Sequence, residues 1–146
     1  MYDKLTRDQV RQFFCEAWSK FAKRYTLTPL EEVAVDWIIE HPEFHADLDH
    51  PGAAREREYL PEDGKTNPFL HLSMHLSISE QVAADQPTGI RSTYHALIRQ
   101  TGSEHDAAHK IMDCLGEMIW MAQKHRTPFD FQMYLQSVEA LANQAN

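Results

Sequence analysis

Cysteine and positive charge are both scarce in this sequence. Its 146 residues contain only Cys15 and Cys114. Each lies in a helical pattern among apolar neighbours, where a free thiol packs as a small hydrophobic side chain, so we expect no disulfide. The 14 basic side chains are outnumbered by 22 acidic ones, which gives a formal charge of −8. Because that charge repels phosphate backbones and anionic lipid, we expect no nucleic-acid partner.

Long apolar runs and several well-known motifs are missing too. No segment approaches the roughly 20 apolar residues of a membrane span, so we predict a soluble protein. Residues 1–8 do not have the basic-then-apolar pattern of a secretory signal, which predicts a cytoplasmic location. Neither Gly-x-Gly-x-x-Gly nor Gly-x-x-x-x-Gly-Lys occurs, so we expect no nucleotide cofactor. The absence of His-Glu-x-x-His and Glu-x-x-His argues against a zincin protease and a ferritin-like di-iron site.

A helix-start signal recurs along the chain. Thr6-x-x-Gln9 and Thr28-x-x-Glu31 fit the capping box, in which two side chains satisfy free backbone N–H groups reciprocally. Pro29 follows Thr28 at the first helical position, where its missing N–H costs nothing. A capping side chain before a favourable first turn also occurs at Asn67, Ser103 and Thr127.

Apolar residues recur with the helical period of 3.6 in six segments. The predicted helices cover residues 6–24, 28–41, 67–85, 88–101, 103–124 and 127–144. No β-branched run alternates with polar residues, so no strand is predicted. We therefore predict an all-α fold, a single-domain helical bundle of about six helices over residues 1–146. A short extra turn is expected at Pro42, and one long charged surface loop at about 50–67.

Histidine is abundant, and its spacing is unusual. With nine histidines in 146 residues, chance gives about 0.5 pairs at i,i+4, the spacing that places two side chains on one helix face. Three such pairs are present: His41/His45, His71/His75 and His105/His109. Because two imidazoles one turn apart can hold one ion through their ring nitrogens, this excess indicates a metal site.

The pair His71/His75 has the clearest position on a helical wheel. Both residues point into the same sector as Ile78 and Val82, which predicts that they face the core. A buried imidazole needs a polar partner, since an unpaired ring nitrogen costs about 1–3 kcal/mol. Glu80 lies on the opposite face of an ideal helix, so we do not expect it to be a ligand.

The other two pairs occupy less defined positions. His105 and His109 lie at the border of an apolar arc, and His109, Asp113 and Glu117 form an i, i+4, i+8 stripe of residue types that bind transition metals or orient ligating histidines. All four are candidate ligands. His41 and His45 flank Pro42, so we expect His41 at a helix junction, and both stay candidates. The remaining histidines, which have no such pattern and are expected at the surface, are His50, His95 and His125.

Three segments of the chain resemble one known family. They are NPFLHLSMHLSISEQ (67–81), HDAAHKIMDCLGE (105–117) and HPEFH (41–45). On these motifs the sequence is similar to an uncharacterised proteobacterial family catalogued as domain of unknown function 1841, over most of its length. The resemblance implies a bacterial, cytoplasmic protein, and it transfers no activity to particular residues.

The sequence thus leads to two hypotheses. The first is a metal-binding helical protein, with His71 and His75 as the first ligands and His109 as the next. A set of histidines and carboxylates suits zinc, iron, manganese or nickel. The second is a non-catalytic interaction module, such as a homodimer, whose histidines hydrogen-bond inside an ordinary core. Neither cysteine lies in a nucleophile motif, and the sequence assigns no catalytic residue, so whether the protein is an enzyme stays open.

Overall fold

The computed structural model describes residues 6–59 and 67–144. Over these residues the protein is all-helical and has no strand, which confirms the predicted fold class. The helices are α1 (Arg7–Ala22), α2 (Pro29–Ile39), α3 (His45–Asp49), α4 (Pro51–Glu56), α5 (Pro68–Ala84), α6 (Ile90–Thr101), α7 (Glu104–His125) and α8 (Phe131–Ala142), with a 3-10 turn at Pro42–Phe44. Within the described ranges, no helix combines the length and the apolar character needed to cross a bilayer.

The predicted capping boxes are present. The Thr6 hydroxyl accepts a hydrogen bond from the Gln9 backbone N–H, and the Gln9 side chain accepts one in return from Thr6 N–H. Thr28 and Glu31 do the same at the start of α2, with Pro29 as its first residue. These reciprocal bonds satisfy donors that have no partner within the helix, so the sequence placed the start of both helices correctly.

Two details of the prediction were wrong. Thr127 does not cap the last helix; α8 begins later, where the Asp130 carboxylate accepts a hydrogen bond from the Met133 N–H. The predicted loop at 50–67 contains helix α4 at its start, and residues 60–66 of that loop lie outside the described residues. A six-residue helix is too short to form by itself. Contacts with α1 stabilise α4: Ala54 is buried, and the Arg11 guanidinium donates to the Ala54 carbonyl oxygen at 2.8 Å.

The chain divides into two compact units, Met1–Leu76 and Ser77–Asn146, and the boundary falls within α5. That the whole chain is one domain stays a prediction. In the first unit, α1 packs against α2, α3 and α4. Its core contains the buried side chains of Phe14, Val35, Ile38, Leu48 and Leu72. This packing fixes the C-terminal end of α2, which carries part of the candidate site.

In the second unit, α6, α7 and α8 pack against one another. Its largest buried side chain is Tyr134, whose hydroxyl lies 2.7 Å from the Gln81 side-chain oxygen and donates to it. The Arg91 side chain donates to the carbonyl oxygens of Val82 and Ala83 at 2.9 and 2.7 Å. These carbonyls belong to the last turn of α5 and have no partner within the helix, so Arg91 caps that end.

Candidate metal centre

Three histidines of the first unit lie together. His41 follows the C-terminal end of α2, and His71 and His75 belong to α5. Each offers one ring nitrogen, and these nitrogens lie within 4.8 Å of one another. His41 and His75 are buried, at 1% and 0% exposure, and His71 is half-buried. The arrangement is compatible with the binding of one metal ion.

The end of α2 orients the His41 ring. Its Nδ1 lies 2.7 Å from the carbonyl oxygen of Trp37, one turn earlier. This carbonyl is in the last turn of α2, where the oxygens have no backbone N–H donor within the helix and accept from other groups. Because a carbonyl can only accept, Nδ1 must carry the hydrogen, and in the neutral ring Nε2 then carries a lone pair. A second interaction that fixes the tautomer in this way is typical of ligating histidines.

His71 and His75 lie one turn apart on α5, and both rings approach His41. The Nε2 atoms of His71 and His41 are 3.1 Å apart. The ring centroids form a nearly equilateral triangle, with sides of 4.7 Å (His41–His71), 4.7 Å (His41–His75) and 4.9 Å (His71–His75). The wheel prediction that this pair faces inward is confirmed, most clearly for the fully buried His75.

Two aromatic side chains pack against these rings. The indole of Trp37 stacks on His75 with a centroid distance of 4.0 Å and an interplanar angle of 19°. Phe44, in the 3-10 turn, stacks on His41 at 5.2 Å and 4°. Stacking of this kind restricts the rotation of an imidazole and excludes water from its face. Trp37 therefore acts twice, through its carbonyl on His41 and through its ring on His75.

The distance between the ring nitrogens of His41 and His71 is close to that expected in a tetrahedral metal site. At Zn–N distances of about 2.0–2.1 Å, two ligands of a tetrahedral zinc are about 3.4 Å apart. The His41–His71 distance of 3.1 Å is close to this value. Neutral imidazoles are also the histidine form that binds metal. The separation of His41 and His71 is thus compatible with two ligands of one metal ion.

His45 has a different role. Its Nε2 lies 2.9 Å from the carbonyl oxygen of Ile38, another last-turn carbonyl of α2, and must donate to it. Its ring packs on Trp18, with a centroid distance of 4.5 Å. The pair His41/His45 thus caps the end of α2 with both side chains, and only His41 belongs to the three-histidine cluster.

The remaining candidates lie on α7, in the second unit. The Nε2 atoms of His105 and His109 are 3.1 Å apart, and both rings are half-buried. Asp113 and Glu117 are exposed. Burial, assisted by the charges of these two carboxylates, raises the pKa of the neighbouring Cys114 thiol. His50, His95 and His125 are exposed, as expected from their lack of pattern.

The sequence assigned His41 no defined position, and it did not connect Trp37 and Phe44 with the histidines. A junction residue cannot be placed on a helical wheel, so its side-chain direction was not predictable. One signal was available: Trp37 precedes His41 by four residues, and a side chain just after a helix end can donate to a carbonyl of the last turn.

The comparisons with known proteins identify the family of this chain. The model of the family described as a domain of unknown function, DUF1841, matches residues 6–140. The chain therefore belongs to this family, as the resemblance predicted. No curated protein matches the chain, and no solved structure matches it.

Proposed function

We propose that this protein binds one divalent transition-metal ion, in the first place zinc, through His41, His71 and His75. The observation that carries the proposal is the convergence of three ring nitrogens within 4.8 Å, two of the residues being buried. An ordinary core would fill this position with leucine or isoleucine, which need no polar partner.

The orientation of His41 supports the proposal further. Its Nδ1–H donates to the Trp37 carbonyl, so its Nε2 lone pair is directed towards His71 before any ion binds. A ligand that is already oriented loses little conformational entropy on binding, which favours high affinity. The ring of Trp37, stacked on His75, and the ring of Phe44, stacked on His41, also restrict the orientation of these two imidazoles.

The chemistry of the donors ranks the metals. Imidazole nitrogens suit zinc, iron and nickel. The proposed ligands include no thiolate, which softer metal ions prefer. Manganese, which prefers carboxylates, fits least, because Asp113 and Glu117 are exposed on α7. Zinc comes first because it binds nitrogen ligands in tetrahedral geometry and does not change its oxidation state.

We propose His109 as the fourth ligand. This part rests on the sequence, in which His105 and His109 form the i,i+4 pair of α7. A fourth protein ligand closes the coordination of the metal and makes the site structural, whereas three protein ligands leave a position for water or substrate. The cytoplasmic location, the lack of a nucleic-acid partner and a homo-oligomeric state stay predictions from the sequence.

The test is elemental analysis of untagged protein purified from metal-replete cells, together with thermal unfolding. We expect close to one equivalent of metal in the wild type and strong depletion in His71→Ala and His75→Ala. At an ion concentration about 1,000 times Kd, binding adds about 4 kcal/mol of stability, so chelation is expected to lower Tm by about 10 °C. His95→Ala and His125→Ala, which remove exposed histidines, are the matched controls and should behave like the wild type.

The rival function is an interaction module whose histidines only hydrogen-bond one another. The 3.1 Å distance between the Nε2 atoms of His41 and His71 is what a neutral N–H···N hydrogen bond would give. Wild-type protein that carries less than about a tenth of an equivalent of metal, and whose Tm does not respond to chelation or to added zinc, would exclude the metal site.

A further inference from the structure

The second unit exposes three large aromatic side chains at one end of the α7–α8 pair. Trp120, Phe129 and Phe131 are 55%, 51% and 45% exposed. The rings of Phe129 and Phe131 lie edge to face, with a centroid distance of 6.1 Å, and the Lys124 Nζ lies 4.7 Å from the centroid of the Trp120 ring. Single exposed aromatic residues are common, whereas several within a short stretch indicate an interaction surface.

Positive charge accompanies these rings. Lys124 and Arg126 are exposed, in the last turn of α7 and directly after it. In residues 118–138 the only acidic side chain is that of Asp130, which caps α8 by accepting from the Met133 N–H. We call the following surface the aromatic end: Trp120, Lys124, Arg126, Phe129 and Phe131. Two copies of it would repel each other because their cations would meet, so the charge favours an acidic partner surface.

The first unit carries the opposite charge. Residues 25–54 contain seven acidic side chains and no lysine or arginine. Two exposed ones, Asp36 and Glu40, lie one turn apart at the C-terminal end of α2, and Ile39 beside them is 48% exposed. Carboxylates are unfavourable there, since a helix C-terminus carries partial negative charge and like charges at i,i+4 repel. A cation brought to this end offsets both effects.

We propose that the aromatic end docks on the end of α2 in a second copy of this chain. Lys124 and Arg126 pair with Asp36 and Glu40, and the aromatic rings cover Ile39. A twofold axis makes this contact twice, once in each direction, and so closes a dimer. Tryptophan and arginine are enriched among the residues that carry most of the binding energy of protein interfaces. None of the five residues is a candidate metal ligand, so the proposal is independent of the metal site.

Analytical ultracentrifugation of the full-length protein tests this. We expect the wild type to sediment as a dimer of about 34 kDa, twice the 17.0 kDa of one chain. Two variants reverse one surface each: Lys124→Glu/Arg126→Glu and Asp36→Lys/Glu40→Lys. Each should dimerise at least about tenfold more weakly, because like charges then meet at both contacts.

An equimolar mixture of the two variants gives the sharpest result. In a mixed dimer, the acidic aromatic end of one variant meets the basic α2 end of the other, and the second contact is the native one. The mixture should therefore recover the dimer that each variant alone has lost. Lys23→Glu/Arg99→Glu reverses two exposed cations elsewhere and is the matched control, which should dimerise like the wild type. Circular dichroism checks the fold of each variant.

Three results would overturn the proposal. The first is a wild type that stays monomeric up to millimolar concentration; if it then binds vesicles of anionic lipid through Lys124 and Arg126, the aromatic end is a membrane-contact surface. The second is a dimer that keeps its affinity in both reversed variants. The third is a mixture of the two folded variants that stays monomeric. Should a reversed variant not fold, Phe129→Ser, which removes an exposed ring, must weaken the dimer instead.

Discussion

The pairs His71/His75 and His105/His109 have the same spacing but different surroundings. On α5, the first pair meets His41 from another part of the chain, and the indole of Trp37 stacks on His75. On α7, the two rings of the second pair lie against each other, with Nε2 atoms 3.1 Å apart. The i,i+4 spacing places two imidazoles on one helix face, and a third imidazole can join them only from a separate element. In the first unit that element is the end of α2.

The largest effect is expected from a comparison of His41→Ala with His45→Ala. Both side chains donate to last-turn carbonyls of α2, at Trp37 and Ile38. Only His41 has its other nitrogen near His71. His41→Ala should remove the bound metal and the roughly 10 °C of Tm that depends on it. His45→Ala should keep the metal and lose about 1 kcal/mol from one hydrogen bond.

For both variants, we would measure the metal content of the purified protein and its Tm with and without chelator. Full metal occupancy in His41→Ala would remove this residue from the ligand set. Equal metal loss in the two variants would show that capping of α2, rather than ligation, controls the site.

The second pair gives the next effect. If His109 supplies a ligand, His109→Ala should weaken metal binding strongly. His105→Ala should weaken it about 10- to 100-fold, because a residue that orients a metal ligand contributes about this much to affinity. Competition with a chromophoric chelator gives both affinities. Glu104→Gln and Asp106→Asn change exposed carboxylates of the same helix that are not candidate ligands, and they are the controls. Unchanged affinity in His109→Ala would confine the site to the three histidines of the first unit.

A smaller effect is expected for Trp37→Leu. The substitution keeps the backbone carbonyl that holds His41 and removes the ring that stacks on His75. Aromatic contacts of this kind contribute about 0.5–1.5 kcal/mol, so metal affinity should fall about 2- to 10-fold with stoichiometry unchanged. Trp120→Leu, which changes an exposed tryptophan, is the matched control. The same chelator competition reports the result, and a complete loss of metal would contradict it.

The sequence predicted the elements with strong local signals. Capping boxes at Thr6 and Thr28 are encoded within four residues, and helices α1 and α2 began where these motifs placed them. Helix α4 was missed because its stability comes from Arg11, more than 40 positions away in the chain. The same limit applies to the site. His71 and His75 share a helix face, so the sequence predicted their inward position, whereas the position of His41 depends on the backbone direction after α2.

The smallest effect concerns the start of α2, at the opposite end from His41. The Glu31 carboxylate accepts a hydrogen bond from the Thr28 N–H and pairs with Lys20 at 2.9 Å, and these interactions lower its pKa. A carboxylate whose pKa is lower in the folded state stabilises the fold above its unfolded pKa, and this stability is lost as pH falls through the folded value. Glu31→Gln should therefore cost about 0.5–1 kcal/mol at pH 7 and less towards pH 3. Urea unfolding of the metal-free protein at both pH values measures this, with the exposed Glu32→Gln as the control. A cost that is the same at both values would mean that the Glu31 charge does not stabilise α2.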